Sequence, residues 1–245
     1  MPYKRKYTYQ PRNAKRFKSR RRLKRKSKRG KKKFTYCKIR SLALPDSTFV
    51  KLRDFDYQTH TPAAGNMPYL IYRMFDLYDP RYATGGGQPQ YFDEWTSMYK
   101  RFIVHASKIT ATVTLTTSTA DPCYVVVVPM TNTIDSSWIT FGNANPMQLN
   151  GARWKLVKRG GDRQTVTVKN YTTMKKMTQL RRTDALKTDA FYYGTSGSSP
   201  TGEFLWYVIV YDPGMGVSST CAAQFSISVK QFSEFYKRKT DIDDS

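Results

Sequence analysis

The residues best equipped for chemistry stand in one block at the start of the chain. Lys4, Arg5, Lys6, Arg12, Lys15, Arg16, Lys18, Arg20, Arg21, Arg22, Lys24, Arg25, Lys26, Lys28, Arg29, Lys31, Lys32 and Lys33 place 18 cations in 33 residues, with no Asp or Glu among them. Each can neutralise a phosphate and release its condensed counterion, so binding of nucleic acid is expected to be sequence-independent and steeply salt-dependent. Arg20, Arg21, Arg22 and Arg25 can grip phosphate oxygens in pairs, while the lysines act as flexible point charges. Tyr3, Tyr7, Tyr9 and Phe17 lie between the cations and offer rings on which unpaired bases can stack. The cluster Arg20, Arg21, Arg22, Lys24, Arg25, Lys26, Lys28 and Arg29 also matches a nuclear localisation sequence, a pattern that basic arms meet by composition alone. The bland alternative is a solvated charge run, but so dense a block without any acid points to a polyanionic partner.

Little else in the sequence suggests chemistry. His60 has no Ser or carboxylate constellation near it, and His105 reads as a structural residue on a strand. Asp54 and Asp56 point to the same side of a strand, an arrangement common on exposed faces. Cys37, Cys123 and Cys221 have no CxxC spacing, so neither a disulfide framework nor a zinc site is expected. Gly85-Gly86-Gly87 is not followed by the Gly-Lys-Ser/Thr of a phosphate loop and reads as a turn. Asn170-Tyr171-Thr172 fits the glycosylation pattern, yet no apolar segment follows the basic residues to make a secretory signal. The longest strongly apolar run, Tyr124 to Met130, is far too short for a membrane span. No enzyme, cofactor or metal is expected, and the protein reads as one made in a reducing compartment.

The rest of the chain must position these residues, and its charge is ordinary. The whole carries 42 Lys and Arg against 18 Asp and Glu, a net +24, of which residues 1–33 supply 18. Those 33 residues lack the apolar surface to form a core and read as a disordered arm, with a second domain over 34–245. There, short β-runs alternate with turn-rich loops. Strands are expected near 48–58, 67–77, 102–117, 123–130, 163–172, 203–212 and 221–235, with a weaker one at 35–44. Ile109, Ala111, Val113 and Leu115 share one face, as do Phe225, Ile227 and Val229. One short helix is expected over Asp93 to Arg101, capped by Asp93 and apolar along Trp95, Met98 and Tyr99. Trp95, Tyr99 and Phe102 are read as core rather than as a nucleic-acid surface beside Lys100 and Arg101. Asp241, Asp243 and Asp244 read as a solubilising tail. Seven or eight antiparallel strands with long loops predict an all-β sandwich, of which a jelly roll is one form.

Particular residues add a resemblance. Tyr78-Asp79-Pro80, Gly85-Gly86-Gly87-Gln88-Pro89, Phe92-Asp93-Glu94-Trp95 with Met98-Tyr99, and Ser107-Lys108-Ile109-Thr110 resemble capsid proteins of circovirus-like small circular single-stranded DNA viruses. The arm beginning Met1-Pro2-Tyr3-Lys4-Arg5 and the segment Lys230-Gln231-Phe232-Ser233-Glu234-Phe235 are similar too. The resemblance implies a single jelly roll of eight strands, about sixty copies in an icosahedral shell, and an internal arm that binds the genome. It also implies a virion protein that enters the host nucleus, with a nuclear import receptor and a cell-surface receptor as host partners. The sequence departs from the best-known circovirus capsids in an arm richer in Lys than in Arg and in its loops. Eighteen charges on each of about sixty subunits would neutralise on the order of a thousand phosphates.

Two other readings stay open, and a third is disfavoured. A ribosomal or chromatin protein would explain the arm but not a β-domain of this size. A coat protein of a small RNA or satellite virus would share both arm and jelly roll. A nucleic-acid enzyme would need the acidic and His clusters that hold metal, which the sequence lacks.

Overall fold

Alternation along β-strands sets the architecture. Ile109, Ala111, Val113 and Leu115 are buried, while Lys108, Thr110, Thr112 and Thr114 between them stay half-exposed. Phe225, Ile227 and Val229 repeat the pattern on the last strand. The computed structural model describes residues 44–61, 66–82, 87–116, 123–131, 145–157, 164–180, 186–213 and 222–239. The basic arm, most of the segment expected as a strand at 35–44, and the acidic residues at 241–244 lie outside them.

The strands are β1 (Ser47–His60), β2 (Tyr69–Arg73), β3 (Tyr99–Leu115), β4 (Cys123–Met130), β5 (Arg153–Val157), β6 (Thr165–Thr173), β7 (Tyr193–Gly194), β8 (Leu205–Tyr211) and β9 (Ala223–Arg238). One sheet runs β1-β9-β3-β6, with β7 also paired to β3, and the other runs β2-β8-β4-β5. Every pairing is antiparallel. The chain changes sheet at β1–β2, β2–β3, β3–β4, β5–β6, β7–β8 and β8–β9. This is the winding of a jelly roll, so the all-β fold class read from the sequence is the one observed.

The core lies between the sheets. Ile109, Val113, Phe225 and Ile227 of the first meet Val125, Val127, Trp206, Val208 and Val210 of the second. Each large apolar side chain buried there contributes about 1.5–3 kcal/mol of transfer free energy. Polar bolts tie the layers at fixed points. Trp206 Nε1 donates to Ser107 Oγ at 3.0 Å. Asn170 Nδ2 donates to the carbonyls of Val127 and Gly151, at 3.0 and 2.9 Å. Gly151 sits at φ +79°, where a side chain is strained and a Cβ would also approach Pro129 at 3.0 Å. Strand β8 is buried on both faces, because Leu205, Tyr207 and Ile209 form a second cluster with Met67 and Val128.

Several expectations are corrected. The helix α1 spans Phe92–Met98, and its cap position is taken by Tyr91 in the left-handed conformation rather than by Asp93. Asp93 stands in the first turn, where its charge suits the helix dipole. The helix ends short of Arg101 because Tyr99 is already extended, and β3 draws Tyr99 and Phe102 into the core. Trp95 stacks on Phe235 at 5.9 Å, in line with the core reading. Strands β5 and β7 and the five-residue helix α2 (Met174–Thr178) were not expected.

Candidate nucleic-acid interface

The face of the β1-β9-β3-β6 sheet turned away from the core gathers cations that the sequence scatters. On β1, Leu52, Asp54 and Asp56 are buried, which turns Phe49, Lys51, Arg53, Phe55 and Tyr57 outward. Antiparallel register then sets Arg53 beside Lys230, Lys230 beside Lys108, and Lys108 beside Tyr171. The next rows hold Lys51 beside Phe232, and Phe55, Ser228, Thr110 and Lys169 in line across all four strands. From Lys51 to Thr59 on β1, and across the partners of that stretch, the outward positions carry five cations and no acid.

Neighbouring strands are about 4.8 Å apart, and like charges directly opposite one another are destabilising. Lys230 registers the conflict: Lys51, then Arg53, with Lys108 and Lys169, holds its ammonium below the usual lysine range. Between the cations stand exposed rings, with Phe55 55 %, Tyr57 60 % and Tyr171 53 % exposed. Tyr171 and Phe232 meet edge to face at 6.4 Å, and Lys51 Nζ lies 5.6 Å from the Phe232 ring centroid. Cations for phosphates, interleaved with rings for bases, are the ingredients of a single-strand binding surface.

At one end this face meets a buried carboxylate. The β3–β9 register shifts at His105, between Val104 and Ala106, and such a bulge re-aims the extra side chain. His105 Nε2 lies 3.0 Å from one oxygen of Glu234, and Lys187 Nζ donates to the other at 2.6 Å. Burial pushes the Glu234 carboxyl up, but the bonds from Lys187 and His105 outweigh it and hold it below the usual glutamate range.

Other charged residues complete themselves inside the fold. Asp54 and Asp56 are buried rather than on an exposed face. Arg81 Nη2 reaches Asp54 at 3.2 Å, Arg81 Nη1 reaches Asp56 at 3.2 Å, and the Tyr72 hydroxyl donates to Asp56 at 2.8 Å. Burial, then the Asp56 contact, drives the Tyr72 hydroxyl far up. Gly87 leaves room for Arg81, since a Cβ there would strike its guanidinium. Burial pushes the Asp76 carboxyl up and the His60 imidazole down. Cys123 is buried and its thiol points to Asp212 at 3.4 Å. Asn170 is buried, so its amide is committed to the core rather than offered to a glycan.

Among the described residues, no group of three or more His, Cys, Asp and Glu could hold a metal ion. No described helix is long and apolar enough to cross a membrane. All 18 arm residues read from the sequence as the nucleic-acid and nuclear-localisation sites, Lys4 to Lys33, lie outside the described residues. The sheet face is an addition that sequence reading missed.

No family model matches the chain, and no curated protein matches it. Its structure is similar to that of the giant freshwater prawn Macrobrachium rosenbergii nodavirus semi-empty VLP, with TM-score 0.42 and 10 % identity over 82 % of this chain and 97 % of that one. The decameric BFDV capsid protein is similar at TM-score 0.41 and 11 % identity, over 77 % and 98 % of the two chains. Desmodium yellow mottle tymovirus gives TM-score 0.36 and 12 % identity, over 82 % and 93 %. Overlaps at this level assign no function, and the fold rests on the strand order.

Proposed function

We propose that the chain is a viral coat protein whose copies assemble into a closed shell around a single-stranded DNA genome. Residues 1–33 form a nucleic-acid-binding arm and 34–245 the shell domain. Arg20 to Arg29 serve in addition as the nuclear localisation signal, read by a host import receptor. The observation that carries the proposal is the pairing of an acid-free block of 18 cations with a jelly roll that turns five more outward, in rows without an acid from Lys51 to Thr59 and across their partners. Two such surfaces on one chain suit a polyanion that each subunit holds at more than one place. DNA as the cargo, and a shell of about sixty subunits, follow from the sequence resemblance in residues 78–110.

Electron microscopy of the purified recombinant chain, with nuclease digestion of whatever nucleic acid travels with it, tests the reading. Closed shells of uniform size whose extracted cargo yields to DNase are expected when the chain is made beside a circular single-stranded genome. Cargo that yields only to RNase would move the protein to the RNA-virus reading. A monomer at every salt concentration, with nucleic acid supplied, would end the coat reading.

A further inference from the structure

Where the cationic face meets the bulge in β3, it opens into a cavity of about 580 Å³, a size typical of small-ligand sites. Its lining includes Phe49, Lys51, His105, Lys187, Phe232 and Glu234. Phe49 is 72 % exposed and Phe232 37 %, an unusual exposure for two phenylalanines on neighbouring strands. His105 braces the Phe49 ring at 5.6 Å between centroids. Lys51 stands over the Phe232 ring on the side leading to Arg53 and Lys230. Glu234 forms the floor, already bonded by Lys187 and His105, so the open part of the site presents aromatic faces and a lysine.

We infer that this cavity holds one unpaired nucleotide of the bound strand, its base against Phe49 and Phe232 and its phosphate on Lys51. The inference rests on the nucleic-acid reading of the adjoining face and deepens it, since it names single-stranded cargo as the ligand. The apolar walls exclude a phosphate alone, and the flanking cations argue against an apolar side chain from another copy of the chain. A duplex cannot use the site, because its bases are stacked and paired. Ring stacking is tolerant of base identity and adds to phosphate contacts without depending on salt as they do.

The test uses the full chain and a single-stranded oligonucleotide carrying one 5-iodouracil. Irradiation should give crosslinked peptides that contain Phe49 or Phe232, in addition to any from the arm, and excess unlabelled single strand should remove them where duplex does not. The Phe49→Ala and Phe232→Ala variants should each bind the oligonucleotide roughly tenfold more weakly. Their dependence of log affinity on log salt should keep the parent slope, and Phe49→Trp should restore the affinity. Crosslinks confined to residues 1–33, with unchanged affinity in both alanine variants, would overturn the cavity proposal and leave the arm reading standing. No crosslink and no binding at low salt would overturn both.

Discussion

Strand β1 carries two kinds of charge on its two faces, and the contrast explains much of the molecule. Inward, Asp54 and Asp56 are buried, and Arg81 and Tyr72 answer them at hydrogen-bond distance. Outward, one residue away, Lys51 and Arg53 stand in rows with Lys230, Lys108 and Lys169, and no acid shares the outward positions from Lys51 to Thr59 or those of their partners. Inside, an unanswered charge would cost several kcal/mol, so the fold supplies the partner. Outside, water and salt lower that cost, and the fold can keep like charges together for a ligand that will answer them. Matched charge here marks structure, and the unmatched charge is where the proposal places nucleic-acid binding.

The contrast can be broken from either side. Removing residues 1–33 should have the largest effect, lowering affinity for single-stranded DNA roughly a thousandfold or more near physiological salt, as read by filter binding. Arg81→Ala should remove the cation that pairs both buried carboxylates, leaving Asp56 only its neutral donors, and destabilise the fold by roughly 3–5 kcal/mol in denaturant titration. Lys187→Ala should remove a charged hydrogen bond from Glu234 and cost about 2 kcal/mol.

The Glu234 site also predicts a pH dependence. Its carboxyl is held below the ordinary value of 4.5, so its contribution is present above that value and is lost as pH falls through the lower folded one. Melting temperature should therefore fall in that acid window, and Lys187→Ala should flatten the fall. Asp76, pushed up by burial, titrates in the opposite sense, since its proton uptake favours the folded state. The smallest effect is expected at Lys230. Lys230→Ser should raise the melting temperature slightly by relieving its four cationic neighbours, while weakening nucleic-acid binding severalfold.

Strand periodicity was legible in the sequence wherever one face is buried, as at Ile109 to Leu115. Strand β5 was not, because Arg153, Trp154, Lys155 and Leu156 are all exposed on a sheet edge and carry no alternation of burial. Asp54 and Asp56 looked like surface acids because their partner Arg81 lies in a turn-rich loop, brought to them only by folding. The cationic face was hidden for the same reason. Lys51, Lys108, Lys169 and Lys230 belong to four strands, each ordinary alone, and only the register sets them side by side. The arm needed no folding to be read, since its charges are contiguous.

The salt dependence of binding tests the central claim most directly. The affinity of the full chain for a single-stranded oligonucleotide should be compared with that of an Arg53→Ser, Lys108→Ser, Lys230→Ser triple variant from low to physiological salt. Each phosphate contact contributes about 0.7 to the slope of log affinity on log salt, so the triple variant should lose about 2 from it. An unchanged slope, with the arm intact in both proteins, would mean that these outward cations hold no phosphate and that the account is wrong.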